Sequence, residues 1–296
     1  MAEQRILITG INGFTGRYMA GEMSSAGYHV FGLGTQPSSG ADFFQVDLAD
    51  QPGLQDVIDH IQPDVIIHLA ALAFIGHGNA NDYYQVNVIG THNLLECLDK
   101  TTKKPQSVLI ASSANVYGNR SEGMLAESAQ PDPANDYAVS KLSMEFMAHL
   151  WMDRLPIVIT RPFNYTGIGQ TNDFLLPKIV DHFKRKAQIL ELGNLDVWRD
   201  FSDVRALVQA YRRLIENGVA GKVVNVCSGQ MHSLREVIAL CESITGYHIG
   251  ISVNSAWVRT NEVKTLCGDA TLLRSLIGEW QTPKLEETLR WMLESE

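Results

Sequence analysis

Tyr137-Ala138-Val139-Ser140-Lys141 sets a phenol and an ammonium four residues apart, a spacing that brings both to one face of a helix. A protonated lysine beside a tyrosine draws the phenol pKa toward the working pH, so the tyrosine can hand a proton to a carbonyl oxygen while hydride arrives at the carbon. Ser112-Ser113-Ala114-Asn115-Val116-Tyr117-Gly118 follows the apolar run Val108-Leu109-Ile110 and supplies a hydroxyl for the same oxygen. Ser113 is the expected donor, with Ser112 as the alternative. Lys141 would also reach the ribose of a nicotinamide. Competing chemistries lack their parts. No G-x-S-x-G elbow follows a strand, no H-E-x-x-H occurs, and His77, His92, His149 and His182 are scattered without metal-ligand spacing, so no metal is expected.

A second set of residues reads as a phosphate cradle. Gly10-Ile11-Asn12-Gly13-Phe14-Thr15-Gly16 lies between the run Ile6-Leu7-Ile8 and a helical stretch, where Gly10, Gly13, Phe14, Thr15 and Gly16 would turn the chain tightly and aim amides at a pyrophosphate. NAD-preferring proteins usually carry an acid at the end of the second strand. Here that stretch is Phe31-Gly32-Leu33-Gly34-Thr35-Gln36, with no carboxylate to repel a 2′-phosphate. Arg17 would neutralise such a phosphate, unless it is only a surface helix residue. NADPH is therefore the expected cofactor, with NADH also usable. Asp47 and Leu48 follow the third strand near the adenine, and Leu69, Ala70 and Ala71 follow the fourth, where small side chains let the backbone approach closely. His68 reads as a packed strand residue.

These groups need a scaffold, and the order of apolar runs describes one. Ile6-Leu7-Ile8, His29-Val30-Phe31, Phe43-Phe44-Gln45-Val46, Val65-Ile66-Ile67, Val108-Leu109-Ile110 and Ile157-Val158-Ile159 alternate with helical stretches, the pattern of an α/β doubly wound parallel (Rossmann) sheet. Asp50 and Pro52 start a helix that Pro63 ends. After Arg161-Pro162-Phe163-Asn164 the rhythm loosens into a loop over 165–173, then a helix over about 175–186. It returns at Val223-Val224-Asn225-Val226, before Ser233 caps another helix. The expected division is a dinucleotide-binding domain over 1–165 plus about 196–226, with a smaller, discontinuous substrate-binding lobe over about 166–195 plus 227–296. A chain of 296 residues suits one large domain with such a lobe. With 24 Lys+Arg against 33 Asp+Glu, the formal net charge of -9 offers no field for nucleic acid or an anionic membrane, so local groups must hold a polyphosphate. Neither a signal peptide nor a transmembrane run is read, and Cys97, Cys227, Cys241 and Cys267 form no C-x-x-C pair, which together suggest buried thiols in the cytoplasm.

Taken together, G-I-N-G-F-T-G at 10–16, H-L-A-A at 68–71, S-S-A-N-V-Y-G at 112–118, Y-A-V-S-K at 137–141 and R-P-F-N at 161–164 resemble the extended short-chain dehydrogenase/reductase family. Within it, the stretch from Gly193 to Val204 and Asn225-Val226-Cys227-Ser228-Gly229 look closest to the GDP-4-dehydro-6-deoxy-D-mannose reductases. That resemblance implies NADPH-dependent reduction of the C4 ketone of a GDP-linked 4-keto-6-deoxy sugar, giving GDP-D-rhamnose. It implies Ser113, Tyr137 and Lys141 as catalytic, and Ser113, Asn164, Lys178, Asn194, Arg199, Arg259 and Glu262 around the sugar nucleotide. Arg199 suits a diphosphate, or else pairs with Asp200 or Asp203. A homodimer through 81–98 and 135–150 would suit the family. The sequence departs from the reductase pattern at Tyr165 and Ile168, where His and Pro are frequent, and at Arg259-Thr260-Asn261-Glu262, where R-P-x-E is usual. Both departures bear on the choice of sugar and the stereochemistry at C4, with GDP-6-deoxy-D-talose as the other product. Sugar-nucleotide 4,6-dehydratases resemble T-D-E before V-Y-G, and here Ser113, Ala114 and Asn115 stand instead. An NAD-dependent 4-epimerase needs only the same Ser/Tyr/Lys set, and is the stronger enzymatic rival. A non-catalytic dinucleotide sensor is the alternative from another class.

Overall fold

The computed structural model describes residues 4–38, 40–73, 79–118, 123–254 and 264–295. Its centre is a seven-stranded parallel sheet of β1 (Arg5–Thr9), β2 (His29–Gly34), β3 (Phe43–Gln45), β4 (Val65–His68), β5 (Ser107–Ala111), β6 (Ile157–Pro162) and β10 (Lys222–Val226). The apolar runs are continuous because both faces are covered. Ile6, Ile8, Val65, Ile67, Leu109 and Val158 pack beneath α1 (Phe14–Ser25), α7 (Val204–Glu216) and α9 (Thr271–Ile277). Leu7, Ile66, Val108, Ile110, Ile157 and Ile159 pack on the opposite face against α2 (Gln51–Ile61), α4 (Thr91–Lys100) and α5 (Asp136–His149).

The strand order is β10-β6-β5-β4-β1-β2-β3, so the chain reverses direction across the sheet between β1 and β4. Ligands of open α/β sheets bind in the crevice at that reversal, outside the strands' carboxyl ends. The element ends follow their local chemistry. Asp50 caps α2 by accepting from Gly53 N, with Pro52 in the first turn. Ser233 and Glu236 form a capping box at α8 (Leu234–Thr245).

The remaining elements gather around a second core. α6 (Leu175–Lys184), β8 (Ile189–Leu192), β9 (Trp198–Asp203), α8 and α10 (Leu285–Glu294) enclose Ile179, Phe183, Leu190, Phe201, Val237 and Leu289. β9 pairs with β7 (Asn164–Thr166), β11 (Met231–Ser233) and β13 (Thr265–Leu266), while β8 pairs with β12 (Gly250–Val253). Packing cuts across the division read from sequence at three places. β9 lies within the stretch expected in the dinucleotide domain, yet Val197 and Phe201 are buried in the second core. α9 lies within the stretch expected in the lobe, yet Leu273 and Ile277 are buried against the large sheet. β7 turns the start of the expected loop into a strand, because its backbone finds a ladder partner in β9.

All four cysteines are buried, and burial pushes their thiols up, which makes them inert. Among the described residues, no group of His, Cys, Asp or Glu could hold a metal ion, and no helix is long and apolar enough to cross a membrane.

Candidate active site

β5 delivers Ser112 and Ser113 to the carboxyl edge of the sheet. Ser113 then caps a 3-10 turn over Ala114–Tyr117, its Oγ accepting from Asn115 N at 3.1 Å. Opposite, Asn135 caps α5 through Ala138 N, which fixes Tyr137 in the first turn and Lys141 one turn later. Ser113, Tyr137 and Lys141 are all buried. Ser113 lies close enough to Tyr137 to lower its phenol pKa, and Tyr83 meets the Tyr137 ring edge-on with centroids 6.2 Å apart. Lys141 Nζ donates to Ala111 O at 2.8 Å, so the lysine ties α5 to the end of β5.

The electrostatics differ from the sequence expectation. Burial pushes the Tyr137 phenol up to about 12, outweighing the lowering influence of Ser113. Burial likewise pushes the Lys141 ammonium down to about 8, against the opposing charge of Glu145. Desolvation, not attraction between the pair, dominates both. A phenol held this way keeps its proton at neutral pH, as a proton donor must. The two serines both line the cavity but make different contacts. Ser112 Oγ donates to Glu145 Oε1 at 2.5 Å, and Glu145 is gripped by Arg161 through Nε at 3.0 Å and Nη2 at 2.6 Å. Ser112 thus faces a buried ion pair, and Ser113 faces Tyr137.

The glycine turn sits at the β1/β4 reversal. Gly10 has φ +71, and a Cβ there would stand 2.8 Å from Ala70 Cα and N. A Cβ on Gly16 would lie 2.3 Å from Gly10 O, so a side chain at either position would collide with the backbone that shapes the turn. Gly13 opens α1 with no side-chain cap, leaving first-turn amides directed out of the helix. That donor set suits a diphosphate. Thr9 Oγ1 accepts from Ala70 N at 3.2 Å and bonds His68 Nδ1 at 2.7 Å, which holds β1 and β4 together below the turn. His68 is buried and held neutral, its pKa lowered by burial to about 3, as a packed strand residue should be.

The glycine turn and Ser113, Tyr137 and Lys141 open into one cavity of about 470 Å³. Asn164 and Arg199 reach it from β7 and β9, and Gln170, Phe174 and Pro177 also line it. Its described lining contains no Asp, Glu, His or Cys. A family model described as GDP-mannose 4,6 dehydratase matches residues 7–292. The chain belongs to this family, within the extended short-chain dehydrogenases/reductases. GDP-6-deoxy-D-talose 4-dehydrogenase of Aggregatibacter actinomycetemcomitans is 34% identical over 277 residues, which are 93% of this chain and 91% of that protein. GDP-6-deoxy-D-mannose reductase of Pseudomonas aeruginosa is 33% identical over 301 residues, 98% of this chain and 96% of that protein. A crystal structure from Burkholderia cenocepacia J2315, of a protein provisionally called an epimerase, superposes with a TM-score of 0.92 at 48% identity, covering 98% and 97% of the two chains. RMD from Pseudomonas aeruginosa, complexed with NADPH, superposes with a TM-score of 0.86 at 31% identity, covering 98% and 96%.

Of the residues singled out by sequence, this family member brings Gly10, Gly13, Phe14, Thr15, Gly16, Leu69, Ala71, Ser113, Tyr137, Lys141, Asn164 and Arg199 to the cavity. Others lie off it. Arg17 Nη2 donates to Gly169 O at 3.0 Å. Asp47 Oδ1 accepts from Ala49 N at 2.9 Å, Leu48 is buried in the sheet core, and Ala70 stands behind Gly10. Lys178 Nζ donates to Glu191 O at 2.9 Å, and Asn194 Oδ1 accepts from Asp196 N at 2.9 Å. Arg259 and Glu262 lie outside the described residues. The carboxylates offered to Arg199 as ion-pair partners are engaged elsewhere. Asp200 accepts from Ser228 N, Ser228 Oγ and Gly229 N, and Asp203 pairs with Arg205 at 2.6 Å. Arg199 Nη1 instead donates to the carbonyls of Trp198 and Lys264.

Sequence reasoning missed three features of the site. Asn87 is fully buried in a π-turn over Gln85–Gly90 and grips Leu72 N, Leu72 O and Ser140 Oγ. Nothing in its local pattern announces a π-turn. Tyr165, flagged only as a departure, lines the cavity and bonds Thr15. Glu145 and Arg161 read as helix and strand residues, and only the fold reveals them as a pair.

Proposed function

We propose that this protein reduces the C4 ketone of a GDP-linked 4-keto-6-deoxy hexose with NADPH, converting GDP-4-dehydro-6-deoxy-D-mannose to GDP-D-rhamnose. The observation that carries the reading is the composition of the cavity wall. It brings Ser113, Tyr137 and Lys141 together, so a proton donor for a ketone is at hand, and none of its described residues offers the carboxylate acid/base pair that elimination of water needs. The two relatives named for GDP-6-deoxy sugars support the nucleotide and the class of sugar.

Gly10, Gly13, Phe14, Thr15, Gly16, Leu69 and Ala71 would hold the dinucleotide, whose reduced nicotinamide supplies the hydrogen and electron pair for C4. Ser113 Oγ and the Tyr137 hydroxyl hold the ketone oxygen. As negative charge develops on that oxygen, Ser113 stabilises it and Tyr137 transfers its proton. The Lys141 ammonium lowers the cost of the phenolate left behind. Arg199, which lines the cavity, would bind the diphosphate of the sugar nucleotide.

The test is to mix purified protein with NADPH and GDP-4-dehydro-6-deoxy-D-mannose, follow nicotinamide absorbance and identify the product by NMR. Stoichiometric loss of NADPH with formation of GDP-D-rhamnose is expected. The talose relative favours a second reading, in which hydrogen adds to the other face of the ketone and yields GDP-6-deoxy-D-talose. Interconversion of two nucleotide hexoses with no net absorbance change would replace the reductase with an epimerase.

A further inference from the structure

Three residues of α1 hold one segment of the substrate wall. Thr15 Oγ1 shares a 2.8 Å hydrogen bond with the Tyr165 hydroxyl, Tyr18 OH donates to Ile168 O at 2.8 Å, and Arg17 Nη2 donates to Gly169 O at 3.0 Å. Phe14 stacks on Tyr165 with ring centroids 6.1 Å apart. The segment is braced from its other side as well. A Cβ on Gly167 would meet Val204 at 2.6 Å and Trp291 at 3.1 Å, so the backbone there lies directly against the start of α7 and against α10. Inside the segment, Thr166 Oγ1 donates to Gln170 Oε1 at 2.8 Å and Gln170 Nε2 donates to Tyr165 O at 3.3 Å. The chain then continues through Gln170, Thr171, Phe174 and Leu175, all of which line the cavity.

We propose that Thr15, Tyr18 and Tyr165, together with Arg17, are positioning residues that transmit dinucleotide binding at the first turn of α1 into ordering of the segment 165–175 for the sugar nucleotide. Thr15 belongs to the turn whose free amides suit a diphosphate, and its side chain reaches across to the strand that begins the substrate wall. Fixing that turn fixes the three anchor points, and the second ligand then meets a wall already ordered. Arg17 on this account serves the substrate wall, and not a 2′-phosphate. Tyr165, one of this chain's departures from the reductase pattern, supplies the hydroxyl that closes the first anchor.

The proposal rests on the reading that the glycine turn holds a dinucleotide, and hydrogen exchange on the full chain tests it. Saturating NADP+ should slow exchange of the amides in 167–175 by about fivefold or more, the lower range of coupling between ligand sites. Tyr18→Phe/Tyr165→Phe keeps both rings but removes two anchor hydroxyls, and should lose most of that protection at saturating NADP+. The affinity for GDP, measured with and without NADP+, should rise with the dinucleotide in the wild-type protein and change little in the variant. Equal protection in the two proteins, or none in the wild type, overturns the proposal. An Arg17→Ala protein that loses affinity for NADP+ but not NAD+, with protection intact, removes Arg17 from the set. Failure to bind GDP at all strikes the reductase reading and leaves the exchange result to stand or fall by itself.

Discussion

At the residue scale, the site sets a protonated phenol against a lysine whose charge is only marginally held. Tyr137→Phe removes the proposed proton donor and should lower kcat by about two to four orders of magnitude while cofactor affinity changes little. Near-normal turnover would take Tyr137 out of the mechanism. The pH profile follows from the two opposite shifts. Tyr137 keeps its proton up to about 12, so it does not limit reduction near neutrality, whereas Lys141 loses its charge near 8. The kcat of reduction should therefore be level at neutral pH and fall as pH rises through about 8. Lys141→Arg, permanently charged, should lack that inflection, and its persistence in the variant would assign it to another group. Arg199→Ala should raise KM for the sugar nucleotide with a smaller change in kcat, since a diphosphate contact is made in ground and transition states alike. At the end of β2, Thr35→Asp should lower kcat/KM for NADPH relative to NADH by about fivefold or more. Like charges ~4 Å apart repel by ~1 kcal/mol even in water.

At the element scale, the Glu145–Arg161 pair joins α5, β5 and β6 beneath the catalytic turn. Their side chains are 3% and 7% exposed, so each charge depends on the other for solvation. Arg161 also donates to Tyr117 OH, which donates in turn to Asn225 on β10. Glu145→Leu leaves the guanidinium buried without its carboxylate and should destabilise the fold by about 3–5 kcal/mol, measured by urea unfolding. It also removes the partner of Ser112, and with it the restraint on the turn that presents Ser113. A loss below ~1 kcal/mol would show that the guanidinium finds water or another acceptor. Here sequence and structure divide cleanly. The strand run, the helical spacing of Tyr137 and Lys141, and the caps at Asp50 and Ser233 are local, and their patterns survive into the fold. The ion pair joins residues 16 positions apart on different elements, and no spacing rule announces it.

At the scale of the whole molecule, Ile89, Phe146 and Leu150 are 47%, 66% and 74% exposed. They come from the π-turn and from the end of α5, the stretches that the family resemblance assigns to a dimer contact. A second copy of the chain would cover them, and light scattering of the purified protein should give the mass of a homodimer. Phe146→Glu/Leu150→Glu should shift it to monomer, because burying two carboxylates without partners opposes association. A wild-type monomer at micromolar concentration would remove this face as the contact.

The sequence by itself determined the sheet, the glycine turn and the Ser/Tyr/Lys set. Each rests on short-range periodicity or on a residue type that one backbone geometry demands, such as Gly10 at φ +71 against Ala70. What only the tertiary structure decided were quantities that depend on surroundings. Burial, and not the neighbouring lysine, sets the Tyr137 pKa, because desolvation is summed over every element packed on the site. Bonds to Glu145 and to the Asn115 amide distinguish Ser112 from Ser113, two identical side chains at adjacent positions. Arg17 stands one residue beyond the last glycine and reads as a phosphate partner, yet its guanidinium reaches a carbonyl 152 positions away, where the loop after β7 folds back over α1.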